Sequence, residues 1–133
     1  MTIAKLYNFP LLGDARGSLV VMDKNSGVPF IVKRVYYIFG TEQGQSRGFH
    51  AHKNLHQIAI CVSGRCRMVL DNGTIRQDVW LDSATLGIDL PPMLWHEMHD
   101  FSSDCVLLLL ASDYYDESDY IRDYKKFIDY CSK

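Results

Sequence analysis

The sequence predicts an all-β protein, an antiparallel sandwich or jelly-roll barrel that ends in one α-helix. Three observations predict it. About nine short runs rich in Val, Ile, Leu and Tyr recur at regular spacing, separated by turn residues. A helical period appears only in the tail. The 133 residues, 47% hydrophobic and 23% charged, suit one domain with an adequate core. No repeat, linker or low-complexity tract interrupts them. The chain is read as a single domain over 1–133, with the barrel over 1–115 and the helix over 116–131.

Residues 3–12 read as an edge strand or arm. Gly13-Asp14-Ala15-Arg16-Gly17 is a turn, since Gly and Asp tolerate left-handed backbone. Leu19–Met22 is a strand stopped by Asp23–Gly27. Phe30–Phe39 is a long strand whose alternation places Val32, Arg34, Tyr36 and Ile38 on one face. Lys33, Val35, Tyr37 and Phe39 take the other. A polar loop, Gly40–Gly48, leads into His50-Ala51-His52, where two histidines share a face. Gln57–Val62 follows, closed by Ser63-Gly64. Cys66–Leu70 and Thr74–Leu81 flank Asp71-Asn72-Gly73, a strong hairpin signal because both Asn and Gly accept positive φ. Leu86–Leu90, Trp95–Asp100 and Val106–Ser112 complete the set. In the tail Tyr120, Ile121, Tyr124, Phe127, Ile128 and Cys131 fall on one helical stripe, with Asp116 or Ser118 as cap.

The formal net charge of −2 argues against sequence-general nucleic-acid binding, which needs a basic face. It leaves room for a small anion held by a few arginines. No apolar run approaches the ~18 residues of a spanning helix, and the N-terminus lacks the order of a signal peptide. The four cysteines, Cys61, Cys66, Cys105 and Cys131, lack CxxC spacing and read as reduced, mostly buried thiols of a cytoplasmic protein with no membrane partner.

The spacing His50-x-His52-x4-Gln57-x6-Gly64, followed by Pro91-x-Met93-x2-His96, resembles the two motifs of the cupin superfamily. Two positions depart from it. Gln57 stands where a metal-binding Glu is usual, and Met93 replaces a Gly. A neutral amide is a poorer ligand than a carboxylate, so the likeness does not carry a metal with it. Four further blocks narrow the resemblance: Lys33–Ile38, Arg47–Lys53, Trp95–Met98 and Ala111–Glu117. They are similar to the thymidine-diphosphate-linked (TDP) 4-keto-6-deoxyglucose 3,4-ketoisomerases. These small cupins make precursors of 3-amino-3,6-dideoxy sugars for bacterial surface polysaccharides such as O-antigen, S-layer glycan and lipopolysaccharide. The likeness runs from about Arg16 to the tail. It implies a jelly roll without metal or other cofactor, acting as a homodimer that exchanges N-terminal strands. His50 matches the proton-shuttling base and Tyr36 the hydroxyl that handles the sugar oxygens. His52, Arg16 and His96 match positions lining the sugar pocket, and His52 counts with His50 and Tyr36 among the catalytic residues the likeness implies. Arg16 with His96 is also the pair of the galacto-forming subgroup; the gluco-forming one tends to carry Tyr and Arg.

The chemistry suits these residue types. A ketoisomerase takes a proton from C3, acidified by the C4 ketone, and returns one to C4 through an enediol. Imidazole titrates near working pH, and charge developing on O4 needs a donor nearby. Arg34 and Arg47 are candidates for the diphosphate, with salt bridges to Asp or Glu an equal alternative. His56, in a turn, and His99, of opposite parity to His96, read as structural. Tyr114, Tyr115 and Tyr120 read as packing the helix on the barrel, with stacking on thymine as the alternative. Three rival functions stay open: a 3,5-epimerase on the same substrate, a metallo-cupin using His50, His52, Gln57 and His96, and a sugar-binding cupin without turnover.

Overall fold

The computed structural model describes residues 2–133. Its strands are β1 (Leu6–Asn8), β2 (Leu12–Asp14), β3 (Gly17–Leu19), β4 (Arg34–Phe39), β5 (Arg47–His52), β6 (Gln57–Ser63), β7 (Cys66–Asp71), β8 (Arg76–Leu81), β9 (Leu86–Leu90), β10 (Trp95–His99), β11 (Val106–Ala111) and β12 (Tyr120–Ile121), and one helix follows, α1 (Tyr124–Cys131). Two five-stranded antiparallel sheets face each other, ordered β1-β9-β6-β11-β4 and β12-β5-β10-β7-β8. The hairpin β2-β3 stands apart. This is the antiparallel jelly roll with one C-terminal helix that strand spacing and tail period predict. Among the described residues, no helix is long and apolar enough to cross a membrane.

The core lies between the sheets. Ala59, Cys61, Ile88, Leu107 and Leu109 from one face Met68, Leu70, Leu81 and Met98 from the other. Alternation puts Ile58, Ile60, Leu108 and Leu110 on the outer face of the first sheet. The segment before β4 covers them with Val20, Met22, Val28, Phe30 and Val32. Those residues therefore pack over the sheet instead of extending it. The strand expected over 19–22 lies earlier, at Gly17–Leu19, the one expected over 30–39 shortens to Arg34–Phe39, and Val32 joins the outer layer, not the face of Arg34.

The tail differs from the expected helix over 116–131. Glu117–Asp119 is a single 3-10 turn capped by Asp116, and Tyr120–Ile121 is a strand on β5. The helical stripe is real only from Tyr124, where the Asp123 side chain accepts the Lys126 N–H. The physical reason is competition. The Lys53 N–H donates to the Asp119 carbonyl, Ile121 is buried, and the Tyr120 ring lies 4.3 Å from His52, so the sheet edge captures the segment first. Phe127 then packs beside Trp95, and α1 covers the outer face of β5 and β10.

Candidate active site

Register brings the polar residues to one end of the barrel. On the first sheet Arg34, Ala111 and Gln57 form one inward row, and Tyr36, Leu109 and Ala59 the next. On the second sheet His50 pairs directly with His96, which pairs with Leu70. His52 follows His50 on the same face. The ring centroids lie 4.9 Å apart for His50 and His52, and 4.6 Å for His50 and His96. One nitrogen from each of the three lies within 4.8 Å of the others.

A bulge aims the mouth of this cavity. Between His96 and Glu97 the β5–β10 register slips, leaving Phe49 unpaired with φ 60°. Strict alternation from His50 would turn Arg47 away. After the bulge Arg47 pairs with Met98, a core residue, and so faces the cavity. Gly48 makes the bulge possible, because a Cβ there would meet the His96 carbonyl oxygen at 2.9 Å. At the second departure from the cupin pattern, Met93 takes φ 64°. The glycine usual there is accounted for by that left-handed backbone, which Met93 adopts at a cost in strain.

The open cavity, of about 340 Å³, is lined by Tyr36, Arg47, His50, Met98, Tyr120 and Arg122 among others. The Tyr36 hydroxyl donates to Gln57 Oε1 at 2.5 Å. Burial pushes the Tyr36 phenol up to about 12, so it stays protonated at neutral pH. Burial, then the charge of a protonated His52, pushes the His50 imidazole down to about 4. Burial also lowers His52, against the opposing pull of Asp119, and holds His96 well below the ordinary range. At neutral pH all three are therefore neutral.

Among the described residues, several polar atoms here are buried without a partner: Nε and Nη2 of Arg34, Nδ1 of His50, Nε2 of His52, Nε2 of Gln57 and Nε2 of His96. They cluster in this one region. The Arg34 guanidinium lies 4.9 Å over the Tyr36 ring and, among the described residues, forms no ion pair, unlike the salt-bridged arginines elsewhere. Unpaired buried groups are costly, which marks a cavity built to receive a polar, anionic ligand.

These depressed histidines link folding to pH. The unfolded chain takes protons below about 6.5, whereas the folded cavity refuses them until lower pH. The unfolded state thus binds more protons in that window, so stability rises with pH across it and is lost as pH falls. Thermal melts should show Tm falling between about pH 6.5 and 4. A flat Tm across that window would contradict neutral buried histidines.

Of the expected site residues, His50, His52, His96, Tyr36, Arg34 and Arg47 come together. Arg16 does not. It sits at the tip of the β2-β3 hairpin, 90% exposed, and its Nε and Nη2 pair with Asp14. The Gly13–Gly17 turn is thus a hairpin standing clear of its own barrel. The sequence reading misses Gln57 as the anchor of Tyr36, it misses Arg122 and Asp119, and it favours packing over a site role for Tyr120. Assigning 116–131 to helix concealed them, since that placed Tyr120 on a packing stripe. Tyr120 instead lies against His50 and His52, and Arg122 stacks over Tyr120 at 4.2 Å while bonding Glu117. Tyr114 and Tyr115 are exposed and do not pack the helix. His56 bonds Asp89, and His99 bonds Glu97 and Ser46, outside the cavity as expected of structural histidines. Cys61, Cys66 and Cys105 are buried free thiols, and Cys131 is an exposed one.

Comparison with known proteins points the same way. The profile of the family described as FdtA: WxcM-like, C-terminal, matches residues 2–132. The TDP-4-oxo-6-deoxy-alpha-D-glucose-3,4-oxoisomerase of Aneurinibacillus thermoaerophilus is 55% identical over 129 residues, spanning 97% of this chain and 93% of that protein. QdtA, a 3,4-ketoisomerase from Thermoanaerobacterium thermosaccharolyticum, was solved with TDP as a double mutant, one Tyr changed to Arg and one Arg to His. It superposes with TM-score 0.94 at 41% identity, covering 99% of this chain and 96% of its own. A QdtA variant with one His changed to Asn, in complex with TDP-4-keto-6-deoxyglucose, gives TM-score 0.94 at 38% identity over 99% and 96% of the two chains.

Proposed function

Because the chain belongs to the WxcM-like, C-terminal (FdtA) family, we infer that it isomerises TDP-4-keto-6-deoxyglucose to the 3-keto sugar. The observation that carries the reading is the neutral histidine cluster facing a phenol and an unpaired guanidinium across one cavity. His50 takes the C3 proton, an enediol forms, and the imidazolium returns the proton to C4. Tyr36 gives its hydroxyl proton to O4 and receives the one leaving O3, so the phenol ends as it began. Gln57 holds that hydroxyl in place. Arg34 and Arg47 take the diphosphate, and its negative charge makes the imidazolium of His50 easier to form. His52 and His96 shape the sugar pocket.

We further propose that the product has the galacto configuration. Arg16 and His96 support it, because the QdtA double mutant introduces Arg for Tyr and His for Arg. The two replaced residues, and the His replaced in the substrate complex, have the same spacing along the chain as Arg16, His96 and His50 here. Since Arg16 stands outside its own cavity, we assign it to the cavity of a second copy, in a homodimer that exchanges N-terminal arms. Exposed Leu11, Leu12 and Leu19 on the hairpin, and Val35, Tyr37 and Phe39 on the free edge strand β4, supply the apolar contact such a dimer needs. The product then serves synthesis of a 3-amino-3,6-dideoxy sugar.

We propose that the reaction needs no metal. The Gln57 carbonyl oxygen is already engaged by Tyr36, so the position that bears a carboxylate ligand in metal-binding cupins offers none here. Enzyme dialysed against a chelator should convert the substrate at the untreated rate, with the 3-keto product read by NMR. Activity lost to the chelator and restored by one divalent ion would favour the metallo-cupin. An unchanged substrate, or one epimerised at C3 and C5, would remove the isomerase reading itself.

A further inference from the structure

His52 differs from the other cavity histidines in having a carboxylate behind it. Its Nδ1 lies 3.1 Å from Asp119 Oδ2, and both groups are nearly sealed from solvent. Among the described residues, His96 has only the Leu94 carbonyl, at 3.3 Å, and His50 is not hydrogen-bonded to a carboxylate. Asp119 is itself rigidly held. Its carboxylate accepts the N–H groups of Asn54 at 2.7 Å and Leu55 at 3.2 Å, and its own carbonyl accepts from Lys53 at 2.9 Å. An acceptor fixed at Nδ1 requires the Nδ1–H tautomer, which leaves Nε2 as a bare lone pair. That Nε2 is buried without a partner in the cluster beside His50 and His96.

The His99–Glu97 pair shows the contrast. His99 spends both nitrogens, on Glu97 and Ser46, and is a closed structural link. His52 spends one and keeps the other unspent, buried within the cluster beside His50 and His96. We propose that Asp119 is a positioning residue that makes His52 a second proton carrier of the isomerisation. This rests on the isomerase reading above. Buried without a counter-charge, His52 would resist protonation altogether; the adjacent carboxylate works against that and stabilises the imidazolium while a proton resides there. On this proposal the O3 hydroxyl proton reaches Tyr36 by way of His52 Nε2 instead of directly, as the C3 carbonyl forms. The own proton of Tyr36 has gone to O4, so neither residue is consumed.

The test combines a cycle of variants with one measurement on the unaltered protein. Asp119→Asn should lower kcat about 10- to 100-fold, within the usual share of a positioned acid–base group, with KM and TDP affinity nearly unchanged. His52→Asn should lower kcat at least as far, and the double variant should be no worse than His52→Asn alone, because Asp119 acts through His52. Losses that multiply, or an Asp119→Asn enzyme with full kcat, would overturn the proposal. Should Asp119→Asn not fold, long-range ¹H–¹⁵N NMR of the wild-type protein decides: protonated Nδ1 and bare Nε2 at His52 uphold it, and the reverse tautomer overturns it. The tautomer is measured without substrate, so it stands or falls separately from the isomerase reading, which wild-type turnover tests.

Discussion

His50→Asn should reduce turnover by roughly 10²–10⁴, the contribution of a positioned general base, and leave TDP affinity almost unchanged. The asparagine keeps similar size and hydrogen-bonding capacity but cannot carry a proton. His50 lies in the lining of the open cavity, whereas His52 and His96 are almost wholly sealed, at 3% and 1% exposure. It is therefore the imidazole most open to a sugar carbon. It also starts as a free base, since burial keeps it neutral far below working pH. The measurement is kcat by product NMR beside TDP titration calorimetry. A variant that turns over normally would move the base to His52 or elsewhere, and a variant that loses TDP as well would make His50 a binding residue.

Replacing Arg34 should weaken the nucleotide and strengthen the fold. The guanidinium sits inward on β4 with Nε and Nη2 buried and unpartnered, stacked between Tyr36 and Tyr115. A half-buried cation without a counter-ion is a burden on the free protein. The same cation gains charge-assisted hydrogen bonds when a diphosphate arrives, each worth about 1.5–3 kcal/mol. Arg34→Met keeps the apolar stem and removes the charge. TDP affinity should fall about 10- to 100-fold, on that same scale, and the remaining binding should be less sensitive to salt. Tm without nucleotide should hold or rise. A fall in Tm with TDP affinity intact would mean that Arg34 is structural.

Much of this arrangement was legible before any coordinates, for identifiable reasons. Alternation is a local property of a strand, so His50 with His52, and Arg34 with Tyr36, could be paired by counting residues. Turn chemistry such as Asp71-Asn72-Gly73 is equally local, and its hairpin joins β7 to β8. What failed depended on partners distant in sequence. The tail carries a helical stripe from Tyr120, but β5 claims Tyr120 and Ile121 first. That claim hid Asp119 behind His52 and Arg122 at the cavity mouth. The inward turn of Arg47 depends on a bulge visible only once β10 lies beside β5. Gln57 was noticed for the carboxylate it lacks, while its work on Tyr36 needed the β4-β11-β6 register. Arg16 resembles a pocket-lining position, yet in this chain it points into solvent. A residue that reaches its site only in a second copy, as proposed for Arg16, would leave no mark in the pattern of a single chain.

The stereochemistry of the product tests the account most directly, because it engages the base, the pocket pair and the reaction together. In the gluco substrate the C3 hydrogen projects from one ring face. A single base that removes it stays on that face. Returning the proton to C4 without crossing the ring places the new hydrogen on the same face, and the C4 hydroxyl becomes axial. Delivery from the opposite face needs a second donor or a turned ring, and gives the gluco product. The measurement is the H4–H5 coupling of the 3-keto product by ¹H NMR, taken before decomposition or after trapping as the amino sugar with an aminotransferase. The account predicts a small coupling, that of the galacto configuration. A large diaxial coupling would contradict it, and with it the assignment of Arg16 and His96 as the residues that set the face of protonation.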